Sequence, residues 1–193
     1  MKTAFLKLAS TESLLRRLCL TVVVLVAGIA ASDAAQISIV ALGTSNTRGR
    51  GVPADQAYPA QLQALLRAKG IDARVLNLGV NGDSSAGMLA RLNSVPGGTR
   101  LVLLEYSPVN ELKHGVTNTD VNLAAIHARL EARNIKVIDM VGYMQGAHMG
   151  ARGRGNQGNS NTVDTPAGPH LSGTVYAAIA AQILPQVEAA IGR

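Results

Sequence analysis

Four short runs rich in Val, Ile and Leu, separated by stretches whose apolar residues recur every three or four positions, constrain this chain most. The runs are 37–42, 74–78, 100–105 and 135–140, and between them lie 58–69, 84–93 and 120–133. Leu62, Leu65 and Leu66 show the helical spacing. Strands that alternate with helices are joined by crossovers rather than hairpins, so they pair in parallel while the helices cover both faces of the sheet. The expectation is a three-layer α/β/α domain with a mostly parallel central sheet and a flavodoxin-like strand order. Its site should form in the loops at the carboxyl ends of the strands.

Two segments fall outside this alternation. Residues 1–34 open with Lys2, Lys7, Arg16 and Arg17, continue through an uncharged apolar stretch at 18–31, and end on small residues around Ser32 and Ala34. This order reads as an export signal. The stretch is shorter than the roughly 20 residues of a membrane-spanning helix, which argues against a permanent anchor. The expected domain is therefore 35–193, in the periplasm or secreted. Cys19, the sole cysteine, lies inside the signal, which leaves the mature chain without thiol chemistry or cysteine-held metal. The second segment, 142–169, is rich in Gly and Asn and reads as a long loop, either a lid or a spacer. Residues 171–191 then read as a terminal helix, despite Pro185.

Charge adds little. Segment 1–34 holds four basic and two acidic residues, so +4 of the chain's +6 belongs to the remainder. Aromatic residues make up 3% of the chain, too few to offer stacking platforms, and nucleic acid is not an expected partner.

The chemistry-bearing residues gather after the strands. Gly43-Thr44-Ser45-Asn46 follows the first run and places Ser45 on a turn at a strand end, where a nucleophile can be exposed. The same residue types also make ordinary turns, or a loop that cradles a phosphate, so this block alone leaves three readings open. Asn77 to Ser85 follows the second run, and the Gly82 amide, unobstructed by a side chain, can donate to a developing oxyanion. A turn and a helix cap account for Asp83 and Ser84 equally well. In the third block, Glu105 to Glu111, Asn110 carries a neutral side-chain donor suited to the same task. Among the histidines, His170 stands out because Pro169 stiffens its approach and the closing helix follows, which makes it the candidate base.

These four blocks, in this order, resemble the SGNH hydrolases, also called the GDSL esterase/lipase family, and in particular small periplasmic acyl esterases and lysophospholipases. The segment from Gly51-Val52-Pro53 to Ala57-Tyr58-Pro59 and the block 77–92 extend the likeness, which covers 37–191. The resemblance implies Ser45 as nucleophile, His170 as base, and an oxyanion hole built from Ser45, Gly82 and Asn110. It implies no metal and no organic cofactor. Three positions depart from the family pattern: Thr44 stands where an acidic residue is usual, Pro108-Val109-Asn110-Glu111 replaces Gly-x-Asn-Asp, and Ala167 occupies the place of the triad acid. Asp164 is the nearest carboxylate. Either Asp164 reaches His170, or a backbone carbonyl holds the imidazole in a Ser-His dyad.

The function implied is an exported serine ester hydrolase that cleaves small acyl esters or thioesters through an acyl-enzyme intermediate. Alternatives are an O-deacetylase of sugars on the same fold, a flavin- or anion-binding protein, and a silent scaffold.

Overall fold

The computed structural model describes residues 36–153, 161–166 and 168–192. The expected export signal at 1–34 and the position of Ala167 lie outside the described residues.

Four strands form one parallel sheet: β1 (Ile37–Gly43), β2 (Ala73–Gly79), β3 (Thr99–Leu104) and β4 (Lys136–Asp139), in the order β2-β1-β3-β4. This is the flavodoxin-like order over the four strands. The helices are α1 (Ser45–Arg48), α2 (Tyr58–Ala68), α3 (Ser85–Ala90), α4 (Pro108–Lys113), α5 (Thr119–Glu131), α6 (Val141–Gly153) and α7 (Gly173–Ile191). A two-stranded antiparallel ribbon joins β5 (Thr162–Val163) to β6 (His170–Leu171).

Side-chain alternation along the strands divides the core into two layers. Ile37, Ile39, Ala41, Leu101 and Leu103 face α2 and α7, where they meet Leu62, Leu66, Tyr176, Ile183 and others. Val40, Leu42, Val102 and Leu104 face the opposite way, toward Met88 of α3 and Ile126 and Leu130 of α5. The central strands β1 and β3 are apolar on both faces because both faces are covered. α7 runs through Pro185 and buries Ile179, Ile183, Val187 and Ile191 along one side.

The structure corrects the reading of 142–169 as one long loop. Its first part is the helix α6, and its later part contains β5, one strand of the ribbon. Gly142, Gly146 and Gly150 each lower helix propensity by about 1 kcal/mol relative to Ala and mask the pattern. Tertiary packing offsets that cost, because Met144 is buried and Tyr143 and Ala147 pack against the α2–α7 layer. The closing helix also starts later than the sequence suggests. Leu171 belongs to β6, and the helix begins at Gly173 after Ser172, whose backbone is extended.

Leu62 is fully buried in the α2–α7 layer. Leu62→Ala should lower the unfolding free energy by about 2–5 kcal/mol, read from urea denaturation, with the slope unchanged.

Candidate active site

β1 and β2 run in register to their ends, where Gly43 lies beside Gly79. The chain then leaves β1 through Thr44 into the single turn α1, which begins at Ser45. Gly49 closes that turn in the left-handed conformation, φ 76°, and its amide and that of Arg50 both donate to the Ser45 carbonyl at 3.0 Å. A side chain on Gly79 would collide with the backbone of Thr47 and Arg48, so this glycine is what allows β2 to pass directly beneath α1. Asn77 adds a tie by donating from Nδ2 to the Thr47 carbonyl at 2.9 Å.

The turn rests on Glu105, the residue that follows β3. Glu105 is completely buried. Its carboxylate accepts from the Thr44 amide at 2.7 Å, the Thr44 hydroxyl at 3.0 Å and the Thr47 hydroxyl at 2.9 Å. Burial pushes its carboxyl above the usual carboxylate range, and these hydrogen bonds oppose that rise. Tyr58 and Tyr176 lie in the same interior. Burial raises both phenols, and the nearby Glu105 charge adds to the effect. The Gly43–Thr47 loop therefore does cradle an acidic group, but that group is the chain's own Glu105. The Thr44 amide and both threonine hydroxyls are directed to Glu105, which weakens the reading of this block as a phosphate or flavin loop.

Above the turn, Ser45 Oγ lies 3.1 Å from His170 Nε2. His170 Nδ1 lies 3.0 Å from the Gly168 carbonyl and 3.2 Å from Thr165 Oγ1, whose hydroxyl donates to the same carbonyl at 2.7 Å. A carbonyl can only accept, so Nδ1 carries the proton and Nε2 is left to accept from the serine hydroxyl. His170 itself sits in β6, opposite Val163 of β5, and is buried. It is this ribbon, rather than the start of a helix, that sets its place. Asp164 is exposed and makes no hydrogen bond to either ring nitrogen among the described residues. The carbonyl that faces Nδ1 is that of Gly168.

The other two blocks converge on the same place. Gly82 has φ 77°, a left-handed conformation suited to glycine, and a Cβ there would meet nothing within 4 Å, so backbone geometry rather than space is what calls for it. Asn110 is buried and spends one amide hydrogen on the Asp83 carbonyl at 3.0 Å, which leaves the other for a ligand. Ser45, Gly82, Asn110 and His170 all line one cleft of about 600 Å3. Arg91 braces it from below. Its guanidinium pairs with Asp83 at 2.7 Å and donates to the carbonyls of Leu78 at 2.9 Å and Gly43 at 3.1 Å.

Several supporting residues were not singled out from sequence. A carboxylate directly after the apolar run Leu101 to Leu104 was a readable sign that Glu105 is buried. Glu111 had a weaker sign, being next to Asn110. It is buried and accepts from the Ser85 amide at 2.7 Å, the Ser85 hydroxyl at 2.6 Å and Thr119 Oγ1 at 2.8 Å. Thr165 and the Gly168 carbonyl carried no sign in sequence, because any residue offers a carbonyl.

The model of the GDSL-like Lipase/Acylhydrolase family matches residues 41–187, well over half of the chain and inclusive of all four blocks. The chain belongs to this family. Among GDSL relatives, the esterase TesA of Pseudomonas aeruginosa is 32% identical over 124 residues, spanning 62% of this chain and 59% of that protein. The crystal structure of AlinE4, an SGNH-hydrolase family esterase, is 32% identical, with a TM-score of 0.50 over 56% of this chain and 60% of that chain. A crystal structure of TesA superposes with a TM-score of 0.60 at 21% identity, over 79% of this chain and 99% of that chain, and supports the fold alone. The match thus spans about three-fifths of the length of the first two relatives. The GDSL fold agrees with the expected three-layer α/β/α architecture.

Because burial raises the Glu105 carboxyl, the folded protein holds that proton more tightly than the unfolded chain does. Its contribution to stability is complete below the ordinary glutamate range, about pH 4.3, and is lost as pH rises through the raised value. Glu105→Gln lacks this titration. The stability of the wild type minus that of Glu105→Gln should therefore fall from pH 4 to pH 8 in urea titrations, whereas a pH-independent difference would contradict the assignment.

Proposed function

We propose that the protein is an exported serine ester hydrolase acting on acyl esters or thioesters through an acyl-enzyme intermediate. The observation that carries this reading is the 3.1 Å contact between Ser45 Oγ and His170 Nε2, with Nδ1 tied to the acceptor-only Gly168 carbonyl. The serine proton then has an acceptor already aimed at it.

In this mechanism Ser45 Oγ attacks the acyl carbonyl while its proton passes to His170 Nε2. The imidazolium that forms keeps its Nδ1–H on the Gly168 carbonyl and on Thr165 Oγ1, both neutral acceptors. A charged triad acid would stabilise the cation more strongly, so the rate of this dyad is expected to lie below that of a full triad. The developing oxyanion takes hydrogen bonds from the amides of Ser45 and Gly82 and from Asn110 Nδ2. Collapse of the tetrahedral intermediate breaks the bond to the leaving group, which receives the proton from His170. Water then attacks the acyl-enzyme, giving a proton to Nε2, and Ser45 leaves with that proton.

The walls of the cleft favour an acyl chain over acetate alone. Val109 of α4 and Val141, Met144 and Met149 of α6 line it, and each offers apolar surface to a hydrocarbon. This supports acyl esters over sugar O-acetyl groups as substrates. The export signal read at 1–34 supports action outside the cytoplasm.

With p-nitrophenyl esters, kcat/KM should be higher for butyrate than for acetate. Ser45→Ala should lose turnover by about a thousandfold or more. Equal rates in Ser45→Ala and the wild type would sink the proposal. Asp164→Asn should stay within about twofold of the wild type, while a loss above about tenfold would restore Asp164 as the acid that orients His170.

A further inference from the structure

The Gly82 loop is held at its ends. Val80 donates from its amide to the Gly43 carbonyl at 3.0 Å, and the Asp83 amide closes back on the Val80 carbonyl at 3.2 Å. Between these points Asn81 and Gly82 are exposed, and Gly82 has the free rotation of a residue without Cβ. An amide that is to meet a developing oxyanion needs a fixed direction, since a misplacement of about 1 Å can cost on the order of a hundredfold in rate.

α4 supplies the missing restraint at two points. Asn110 donates to the Asp83 carbonyl, and His114 Nε2 lies 2.8 Å from the Gly82 carbonyl. The two residues are four apart. His114 continues the helical turn, with φ −90° and ψ 0° and its amide donating to the Asn110 carbonyl at 2.9 Å, so both side chains leave the same face. The helix that bears them is pinned in turn by buried Glu111 between them. Two successive carbonyls of the loop are therefore clamped from one helix face.

We infer that His114 is a positioning residue for the oxyanion hole: its Nε2–H holds the Gly82 carbonyl, which together with the Asp83 amide bond to Val80 fixes the Gly82–Asp83 peptide and so limits the rotation at Gly82 by which its own amide, in the preceding peptide plane, could turn away from the substrate. The carbonyl can only accept, so Nε2 bears the proton, and it does so in both the neutral tautomer and the imidazolium. His114 takes no proton from substrate and forms no bond with it. A glutamine at this position has an Nε2–H of its own and can make the same bond.

This inference rests on the proposed role of Gly82, and its test separates the two. With p-nitrophenyl butyrate, His114→Ala should lower kcat about tenfold, a fraction of the ~100-fold or more that losing a whole oxyanion donor costs, with KM within about twofold. His114→Gln should recover to within about threefold of the wild type. An unchanged kcat in His114→Ala overturns the inference. So does a rise in KM at constant kcat, which is the mark of a substrate contact. A readout independent of turnover is the Gly82 amide resonance in 15N-glycine-labelled protein. It should shift or broaden in His114→Ala and return in His114→Gln, and an unmoved resonance overturns the inference even if no ester is hydrolysed. Loss of the ester reading alone, through equal rates in Ser45→Ala and wild type, would leave the resonance to decide the bond.

Discussion

Everything at the carboxyl edge of the sheet depends on a carboxylate buried beneath the Ser45 turn. Glu105 has no access to solvent, and an ionisable group in that position is tolerated only if the surrounding donors satisfy it. The Thr44 amide and the hydroxyls of Thr44 and Thr47 do so, and in doing so they dictate the path of the backbone that delivers Ser45. The same constraint explains Gly43. A Cβ there would meet Thr47 Oγ1, and it would also stand 2.7 Å from a Glu105 carboxylate oxygen. Strand end, carboxylate and turn are one packed unit.

The neighbouring loops follow the same logic with other charged groups. Glu111 joins the start of α3 to α4 and to Thr119 at the start of α5, and Arg91 joins the ends of β1 and β2 to Asp83. Each group directs hydrogen bonds onto backbone or short side chains of neighbouring segments. Loops knitted in this way behave as extensions of the sheet, and a site on rigid elements is held more precisely than one on free loops. The Gly82 loop is the exception in its middle, where the hold passes to the side chains of α4.

On the opposite wall, the ribbon of β5 and β6 brings a histidine to the serine with modest means. The Gly168 carbonyl and Thr165 select the tautomer of His170 without any charge. Geometry is thus preserved where the electrostatic support usual in the family is reduced. The proposed chemistry keeps its proton path, and what it gives up is stabilisation of the imidazolium.

Much of the fold was legible in the chain because it follows from local periodicity. The runs at 37–42 and 100–105 read as strands of a covered sheet, and Leu62, Leu65 and Leu66 as the spacing of a helix that packs on it. The family blocks likewise placed Ser45, Gly82, Asn110 and His170 at the ends of elements. The helix α6 was hidden because its glycines outweigh its short apolar spacing until Met144 finds the core. The partner of His170 Nδ1 was hidden for a different reason. A carbonyl has no side-chain signature, and its direction is set by the turn at Gly168, φ 98°, and by the pairing of His170 with Val163. The sequence by itself determined the layered α/β architecture and the residue types at the site, since both depend on spacing along the chain. Only the tertiary structure decided that Glu105 fills the Gly43–Thr47 cradle and that a backbone carbonyl faces His170, because both depend on which donors and acceptors distant segments bring within 3 Å of one another.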